Sequence, residues 1–174
     1  PKVAIVYAQG EVVDGEGPED QIYGYSVAKK IRDVAEDDEV KAVVLRVNSP
    51  GGSALAADIV WREVKLLQEK KPVIVSMGDY AASGGYYISA PADAIVADKL
   101  TLTGSIGVFG MIPSFGDALK DKLGVTIDGV QTNKYAGMGN GFTPLKEGEY
   151  QALMRSVDRV YDRFTSLVAE GRNL

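Results

Sequence analysis

Residues 42–53 have the sequence AVVLRVNSPGGS, in which an aliphatic, largely β-branched run ends at a serine-proline-glycine-glycine corner. The apolar run predicts a buried strand over residues 42–47, and the corner predicts a turn into a helix that begins near residue 54. Gly51 and Gly52 suit such a tight corner because glycine adopts positive φ without a side-chain clash. A strand, a corner and a helix in this order form the basic unit of an α/β fold.

The same alternation of strand and helix patterns continues in both directions along the chain. Further strands are predicted over residues 3–7, 73–76, 94–97, 107–109 and 125–130, and helices over 25–35, 54–69, 83–90, 115–123 and 146–169. This order predicts largely parallel strands covered by helices. The last helix has apolar positions at helical spacing and is predicted to pack or to join subunits. Since no repeat or linker interrupts the pattern, we expect a single domain over residues 1–174.

The composition excludes several classes of protein. The chain has 174 residues, a net charge of −5, no histidine and no cysteine, with 45% hydrophobic and 25% charged residues. These fractions are typical of a globular domain, and the acidic balance without a basic cluster argues against a nucleic-acid partner. Without cysteine or histidine, disulfides and thiolate zinc sites are excluded, and we expect no metal and no cofactor. No apolar run approaches the roughly 20 residues of a membrane helix, so we expect this segment alone to be soluble.

A second corner, residues 78–87 with the sequence GDYAASGGYY, leaves two interpretations open. In one, Ser83 is a nucleophile at a helix start, where backbone N–H groups support an oxyanion. In the other, Ser83 is the N-cap of a small-residue helix that packs closely on the sheet. A nucleophilic Ser83 has no imidazole available in this chain, so the remaining practical base is a neutral lysine amine.

The first corner has the same two interpretations, an anion site or a tight turn in which Ser53 caps the following helix. Neither corner matches G-x-S-x-G or the phosphate loop G-x-x-x-x-G-K-[ST], so a nucleotide site is weakly supported.

In order along the chain, three motifs resemble the signal peptide peptidase A family, also called protease IV. They are VVLRVNSPGG at residues 43–52, VSMG through AASGGYY at residues 75–87, and LTGSIG at residues 102–107. The resemblance covers nearly the whole chain. It implies a crotonase and Clp-protease type of α/β fold with repeated β-β-α units, assembled into a ring-like oligomer.

The resemblance also implies a role for each matching residue. Ser83 corresponds to the nucleophile, the N–H groups of Gly52 and Gly84 correspond to the oxyanion hole, and Ser105 corresponds to the serine that orients the catalytic lysine. The implied reaction is hydrolysis of cleaved signal peptides at the bacterial inner membrane, with the domain facing the periplasm. Membrane attachment is expected only through other parts of the full-length protein.

An apolar groove near Tyr86, Tyr87, Ile106 and Phe109 is a candidate surface for such peptides. For Ile106 and Phe109, however, a place in the core is the favoured interpretation, since apolar residues near strands are usually buried.

The lysine position departs from the family pattern. In short members the lysine lies in a segment that follows a Leu-Gly-Val strand. When that segment is aligned with this chain, Ala136 stands at the lysine position. Lys134 is two residues away, about 6–7 Å along an extended chain, which is too far for one hydrogen bond without rearrangement. Long members place the serine in a C-terminal half and the lysine in a homologous N-terminal half, and this chain resembles the C-terminal half. We therefore expect a fragment of a longer chain that is inactive or weakly active alone.

Two other functions remain open. A crotonase-like enzyme acting on acyl-coenzyme A shares the implied fold but does not require a serine at position 83. A non-catalytic scaffold, in which Ser83 is only a helix cap, is the second alternative.

Overall fold

A computed structural model describes residues 1–174, which form two compact units. The first unit contains Pro1–Gly107 and Tyr161–Leu174, and the second contains Val108–Val160. That these units make one domain remains a prediction. The elements are β1 (Lys2–Gln9), β2 (Val12–Val13), β3 (Ile22–Tyr23), α1 (Gly24–Glu36), β4 (Val40–Ser49), α2 (Ala54–Gln68), β5 (Val73–Ala82), α3 (Gly84–Ser89), β6 (Ala94–Val96), β7 (Leu102–Gly104), α4 (Gly116–Leu123) and α5 (Glu147–Arg172).

The first unit is built on a parallel sheet with strand order β1-β4-β5-β6, and β7 pairs with the end of β5. Alternate residues of the central strand β4, among them Val43, Leu45 and Val47, are at most 1% exposed. Helix α2 buries residues at intervals of three or four, the spacing of a single helix face. The core lies between this sheet face and the helices, as the alternation of strands and helices predicts.

The carboxyl ends of β4 and β5 lie side by side and carry the two glycine corners. Val47 pairs with Met77, and after a register shift Ser49 pairs with Ala81. Helix α2 starts just after the first corner, and helix α3 starts within the second. Because both strands are parallel, the two helices start at the same edge of the sheet, where open α/β sheets usually bind their ligands.

The strands predicted over residues 107–109 and 125–130 are wrong. The strand in the first region is β7, five residues earlier, and it ends where Gly104 and Ser105 both take positive φ, +83° and +51°. Residues 125–130 contain apolar side chains that are largely exposed, and Val130 is fully exposed. β-branched residues fit a pleated, half-buried surface, but a strand also needs a neighbouring strand to pair with, and these segments have none.

The second unit contains α4 and the first part of α5. Gly124 ends α4 in the left-handed conformation, with φ +66°, and its N–H donates to the carbonyl of Lys120 at 3.0 Å. This is a common helix ending that glycine accommodates without strain. Many apolar side chains of this unit are exposed, including Phe109 at 93%, so the expected core position of Phe109 is wrong.

No helix of the chain has both the length and the apolar character that crossing a bilayer requires.

Candidate active site

The first corner is held by a buried serine and by strand β2. The Gly51 N–H donates to the Ser49 hydroxyl at 3.1 Å, and Ser49 is fully buried. Val12 donates its N–H to the Gly51 carbonyl at 2.8 Å and accepts the N–H of Ser53 at 2.7 Å. The Gly52 N–H, between these two bonds, donates to no group of the chain.

Ser53 caps helix α2, as one interpretation of the sequence predicted. Its backbone has φ −58°, and its hydroxyl oxygen accepts the N–H of Ala56 at 3.2 Å. The same hydroxyl donates to the carboxylate of Asp14. Both the donor and acceptor capacity of the Ser53 hydroxyl are therefore used inside the chain.

Ser83 occupies the equivalent place before α3, but its hydroxyl has no partner. Its backbone lies at φ +51° and ψ −119°, and its side chain makes no capping hydrogen bond. The backbone is fully engaged, since the Ser83 N–H donates to the Gly104 carbonyl at 2.9 Å and the Ser83 carbonyl accepts from Tyr87 at 2.9 Å. The interpretation of Ser83 as a side-chain cap is wrong. A non-glycine residue in such a conformation costs about 1–3 kcal/mol, and such residues cluster at active sites.

The two corners touch through their backbones. A Cβ atom placed on Gly51 would lie 2.7 Å from the Gly84 nitrogen and 2.7 Å from the Ser83 Cβ. A Cβ placed on Gly84 would lie 3.3 Å from the Gly52 nitrogen. At Gly51 only a residue without a side chain permits this approach, and at Gly84 an added Cβ would be tightly packed. The structure therefore brings together Ser83, Gly52 and Gly84, three of the four site residues that the resemblance implied.

The Gly84 N–H, like that of Gly52, donates to no group of the chain. Gly84 is the first residue of α3, where helix N–H groups have no intrahelical acceptor. Two unpaired backbone donors thus lie next to one free serine hydroxyl, and such a set of groups is able to stabilise a negative oxygen that forms beside the serine.

Ser105 follows the residue that holds the Ser83 backbone. The Gly104 carbonyl accepts the Ser83 N–H, and Ser105 comes next, exposed and with φ +51°. The Thr103 hydroxyl donates to the Ala81 carbonyl at 2.8 Å and fastens β7 to β5. The Ser105 hydroxyl makes no hydrogen bond within the chain. Ile106, the next residue, is 36% exposed, so its expected core position is wrong.

No lysine of the first unit is hydrogen-bonded to the Ser83 side chain. Ala136 and Lys134 both belong to the second unit, where the Lys134 ammonium lies 5.3 Å from the centre of the Tyr135 ring. Ala136 is exposed in a turn. That Lys134 serves as a base remains a prediction.

A polar cluster beside the site was not expected from the sequence. The Tyr87 hydroxyl donates to the Asp58 carboxylate at 2.6 Å, and the Arg163 guanidinium contacts the same carboxylate oxygen at 2.9–3.0 Å. Burial raises the pKa of Tyr87 above its ordinary value, and the Asp58 carboxylate raises it further. Asp58 and Arg163 are 105 residues apart, so no local pattern links them.

Away from this site, the chain has a cavity but no cluster of metal-binding side chains. No group of three or more His, Cys, Asp or Glu side chains is arranged to hold a metal ion. A cavity of about 660 Å³ lies between β1, the loop over residues 16–21 and α1, with Tyr7, Tyr25 and Lys30 in its wall. Ser83 and the two glycine corners do not line it.

Comparison with known proteins finds a family model and several relatives. The model of peptidase family S49 matches residues 65–174. Protease 4 of Haemophilus influenzae is 47% identical over 174 residues, which are 99% of this chain and 28% of that protein. A putative signal peptide peptidase SppA of Enterococcus faecium is 38% identical over 146 residues, which are 83% of this chain and 42% of that protein. The chain thus spans little more than a quarter of the Haemophilus relative.

Among solved structures, a ClpP1 mutant from Listeria monocytogenes superposes with a TM-score of 0.53 at 17% identity. The likeness covers 96% of this chain and 71% of that one. At this identity it bears on the fold alone. The Clp-protease type of α/β fold that the sequence predicted is confirmed.

Proposed function

The chain belongs to peptidase family S49, and from this premise we propose that it carries the nucleophile and oxyanion hole of a serine peptidase that hydrolyses cleaved signal peptides. The observation that carries the proposal is the free hydroxyl of Ser83, held at positive φ beside the unpaired N–H groups of Gly52 and Gly84. A serine that served only the fold would be engaged as Ser53 is.

In the proposed reaction, the Ser83 Oγ attacks the carbonyl carbon of the scissile peptide bond while a neutral lysine amine takes its proton. The carbonyl oxygen becomes negative and accepts hydrogen bonds from Gly52 and Gly84, each worth about 3 kcal/mol in the transition state. The C–N bond then breaks as the lysine gives its proton to the leaving amine. Water, deprotonated by the same lysine, attacks the acyl carbon; the bond to Ser83 Oγ then breaks, the lysine gives its proton to that oxygen, and the second product leaves as a carboxylate.

We assign the base to a homologous N-terminal half that this chain does not contain. The support is that no lysine of the first unit is hydrogen-bonded to the Ser83 hydroxyl and that Ala136 stands at the aligned lysine position. Burial of the incoming lysine would lower its pKa and keep it neutral. Ser105, next to the residue that anchors Ser83, would orient that amine. On this proposal the chain alone turns peptides over slowly or not at all.

The proposed substrates are apolar, extended peptides. The name of the Enterococcus relative supports signal peptides as the substrate class. Near the site, Leu102 and Tyr80 are 60% and 48% exposed, and with Ile106 they present apolar surface around the carboxyl end of β5. We place the reaction at the periplasmic face of the bacterial inner membrane, with membrane attachment outside this chain.

We further propose assembly into a ring-like oligomer. The exposed apolar side chains of the second unit support this assembly, since exposed apolar patches commonly mark interfaces between proteins. The Clp-like fold is compatible with it but does not require it.

The decisive experiment measures hydrolysis of a fluorogenic apolar peptide by this chain alone and after co-expression with the homologous N-terminal half. Each sample has a Ser83→Ala counterpart. We expect Ser83-dependent activity only in the pair. Serine-dependent activity of the chain alone would assign the base to Lys134 or another local lysine. Unchanged activity of the pair after Ser83→Ala would overturn the peptidase proposal and would support a scaffold role for this chain. Binding of acyl-coenzyme A esters would instead support a crotonase-like enzyme.

A further inference from the structure

We propose that Asp58 is a positioning residue that sets the distance between the two oxyanion donors, an inference that rests on the proposed function. Asp58 touches neither Ser83 nor the glycine corners by hydrogen bond. It acts through the helices that carry those corners, and it does so together with Tyr87 and Arg163.

The Asp58 carboxylate joins three helices at one oxygen atom. Asp58 lies on α2, Tyr87 on α3 and Arg163 on α5. The Tyr87 hydroxyl donates to Asp58 Oδ1 at 2.6 Å, and Arg163 Nε donates to the same oxygen at 3.0 Å. The Arg163 guanidinium also lies 4.8 Å from the centre of the Trp61 ring on α2, which holds it in place.

Asp58 and Tyr87 each lie within two helical turns, along the chain, of one of the two donors. Asp58 follows Gly52 by six residues, and Tyr87 follows Gly84 by three. A hydrogen bond between them therefore limits how far the two donors move apart. Helix α3 has only six residues and no side-chain cap, so its position depends on tertiary contacts rather than on its own stability.

The bond between Tyr87 and Asp58 is well defined. Tyr87 is 4% exposed, and its ring packs 4.8 Å from that of Phe164, which is also buried. A buried tyrosine hydroxyl needs a partner, and Asp58 is the acceptor available to it. By contrast, the Asp58 and Arg163 side chains are 41% and 51% exposed, so their ion pair adds little to stability. The cluster is therefore better suited to fixing geometry than to stabilising the fold.

Glu63 provides a matched control on the same helix. Its carboxylate accepts from Arg32 of α1 at 2.6 Å, so it also joins α2 to another helix through an arginine. It forms no hydrogen bond or salt bridge with α3 and plays no part in the proposed site. Glu63→Gln therefore measures how activity responds when a carboxylate that joins two helices is lost away from the site.

The experiment compares Asp58→Asn, Tyr87→Phe and Glu63→Gln in the Ser83-dependent pair of halves described above. Oxyanion donors act in the transition state, so their displacement lowers kcat more than it changes KM. We expect Asp58→Asn and Tyr87→Phe to lower kcat about five- to tenfold with KM within about twofold, since small misplacements reduce rates strongly. Affinity for a peptide boronate, whose tetrahedral adduct occupies the oxyanion hole, should fall by a similar factor. Glu63→Gln should leave both unchanged.

A double variant separates positioning from general destabilisation. If Asp58 and Tyr87 act through one bond, Asp58→Asn with Tyr87→Phe lowers kcat no further than either change alone. The inference is overturned if kcat and boronate affinity stay at their original values, or if Glu63→Gln lowers them equally. If Ser83→Ala retains activity, the proposed function itself is overturned. If Ser83→Ala loses activity while the Asp58 variant keeps its kcat, only the positioning role is overturned.

Discussion

Two corners of this chain have nearly the same composition but use their serines in opposite ways. Both follow a central parallel strand, combine serine with two glycines and lead into a helix. At the first, Ser53 has an ordinary φ and its hydroxyl is bonded to Ala56 and Asp14. At the second, Ser83 has positive φ and a free hydroxyl. Composition thus marks both corners, while the hydrogen bonds show which serine is available for chemistry.

The difference has a physical origin in the backbone. At φ −58° the Ser53 side chain lies over the first turn of α2, where it reaches the N–H of Ala56. At φ +51° the Ser83 backbone is turned so that its own N–H pairs with β7 and its side chain caps nothing. A strained backbone and an unused hydroxyl therefore go together, as expected where conformational strain is retained for function.

The largest expected effect comes from removing each hydroxyl in turn. Ser83→Ala should lower kcat/KM of the active pair about a thousandfold or more, since loss of a nucleophile removes most of the rate. Ser53→Ala should lower the free energy of unfolding by about 1 kcal/mol through loss of the cap. Peptide hydrolysis and urea unfolding of both variants measure the two effects. Equal losses of activity would mean that the two corners do not differ in role.

The contact between the corners is tested by Gly51→Ala. The added Cβ would meet the Gly84 nitrogen and the Ser83 Cβ at 2.7 Å, and Gly51 has φ +104°. Clash and backbone strain together should lower the free energy of unfolding by about 3 kcal/mol or more.

Gly15→Ala is the matched control for this substitution. Gly15 also has positive φ, +88°, but a Cβ there meets nothing within 4 Å. Strain alone should cost about 1–2 kcal/mol. If the two variants have similar urea midpoints, the added Cβ at Gly51 costs nothing beyond strain, and the two corners are able to move apart.

Because Ser83 is strained and Ser53 is not, glycine substitutions at the two corners should change the free energy of unfolding in opposite directions. Ser83→Gly should raise the free energy of unfolding by about 1 kcal/mol while abolishing activity, because glycine accepts positive φ. Ser53→Gly should lower it by a few tenths of a kcal/mol, the usual cost of replacing a cap by glycine. Thermal unfolding measures both. A destabilised Ser83→Gly variant would show that the Ser83 conformation is not strained.

A pH-dependent effect is expected from the bond that joins the two helices behind the corners. Burial raises the pKa of Tyr87, so this residue favours folding while it is protonated. Its contribution is complete below the ordinary tyrosine pKa of about 10 and is lost as pH rises above it towards the raised value. Between pH 9 and 10.5 the free energy of unfolding should fall by about 0.8 kcal/mol more in the unmodified chain than in Tyr87→Phe. If the free energy of unfolding has the same pH dependence in both proteins, the expected contribution of Tyr87 is wrong.

Much of the first unit was predictable because its signals are local. Aliphatic runs and helical spacing predicted β1, β4, β6 and the helices close to their observed bounds, whereas β5 was predicted to end at Ser76 and continues to Ala82. The same patterns failed at residues 107–109 and 125–130, where β-branched composition is present but no partner strand is. The two-residue strands β2 and β3 are too short to produce a periodic pattern, although β2 holds the first corner.

The sequence by itself determined the fold class, the place of both corners and the absence of a histidine base, because each depends on residue type or on short-range order. Only the tertiary structure decided that Ser53 is bonded and Ser83 is free, that the Gly52 and Gly84 donors meet, and that Asp58 links α2, α3 and α5. The reason is that a hydrogen bond depends on which groups the fold brings within about 3 Å. Residues far apart in the chain, such as Asp58 and Arg163, leave no local pattern from which that proximity follows.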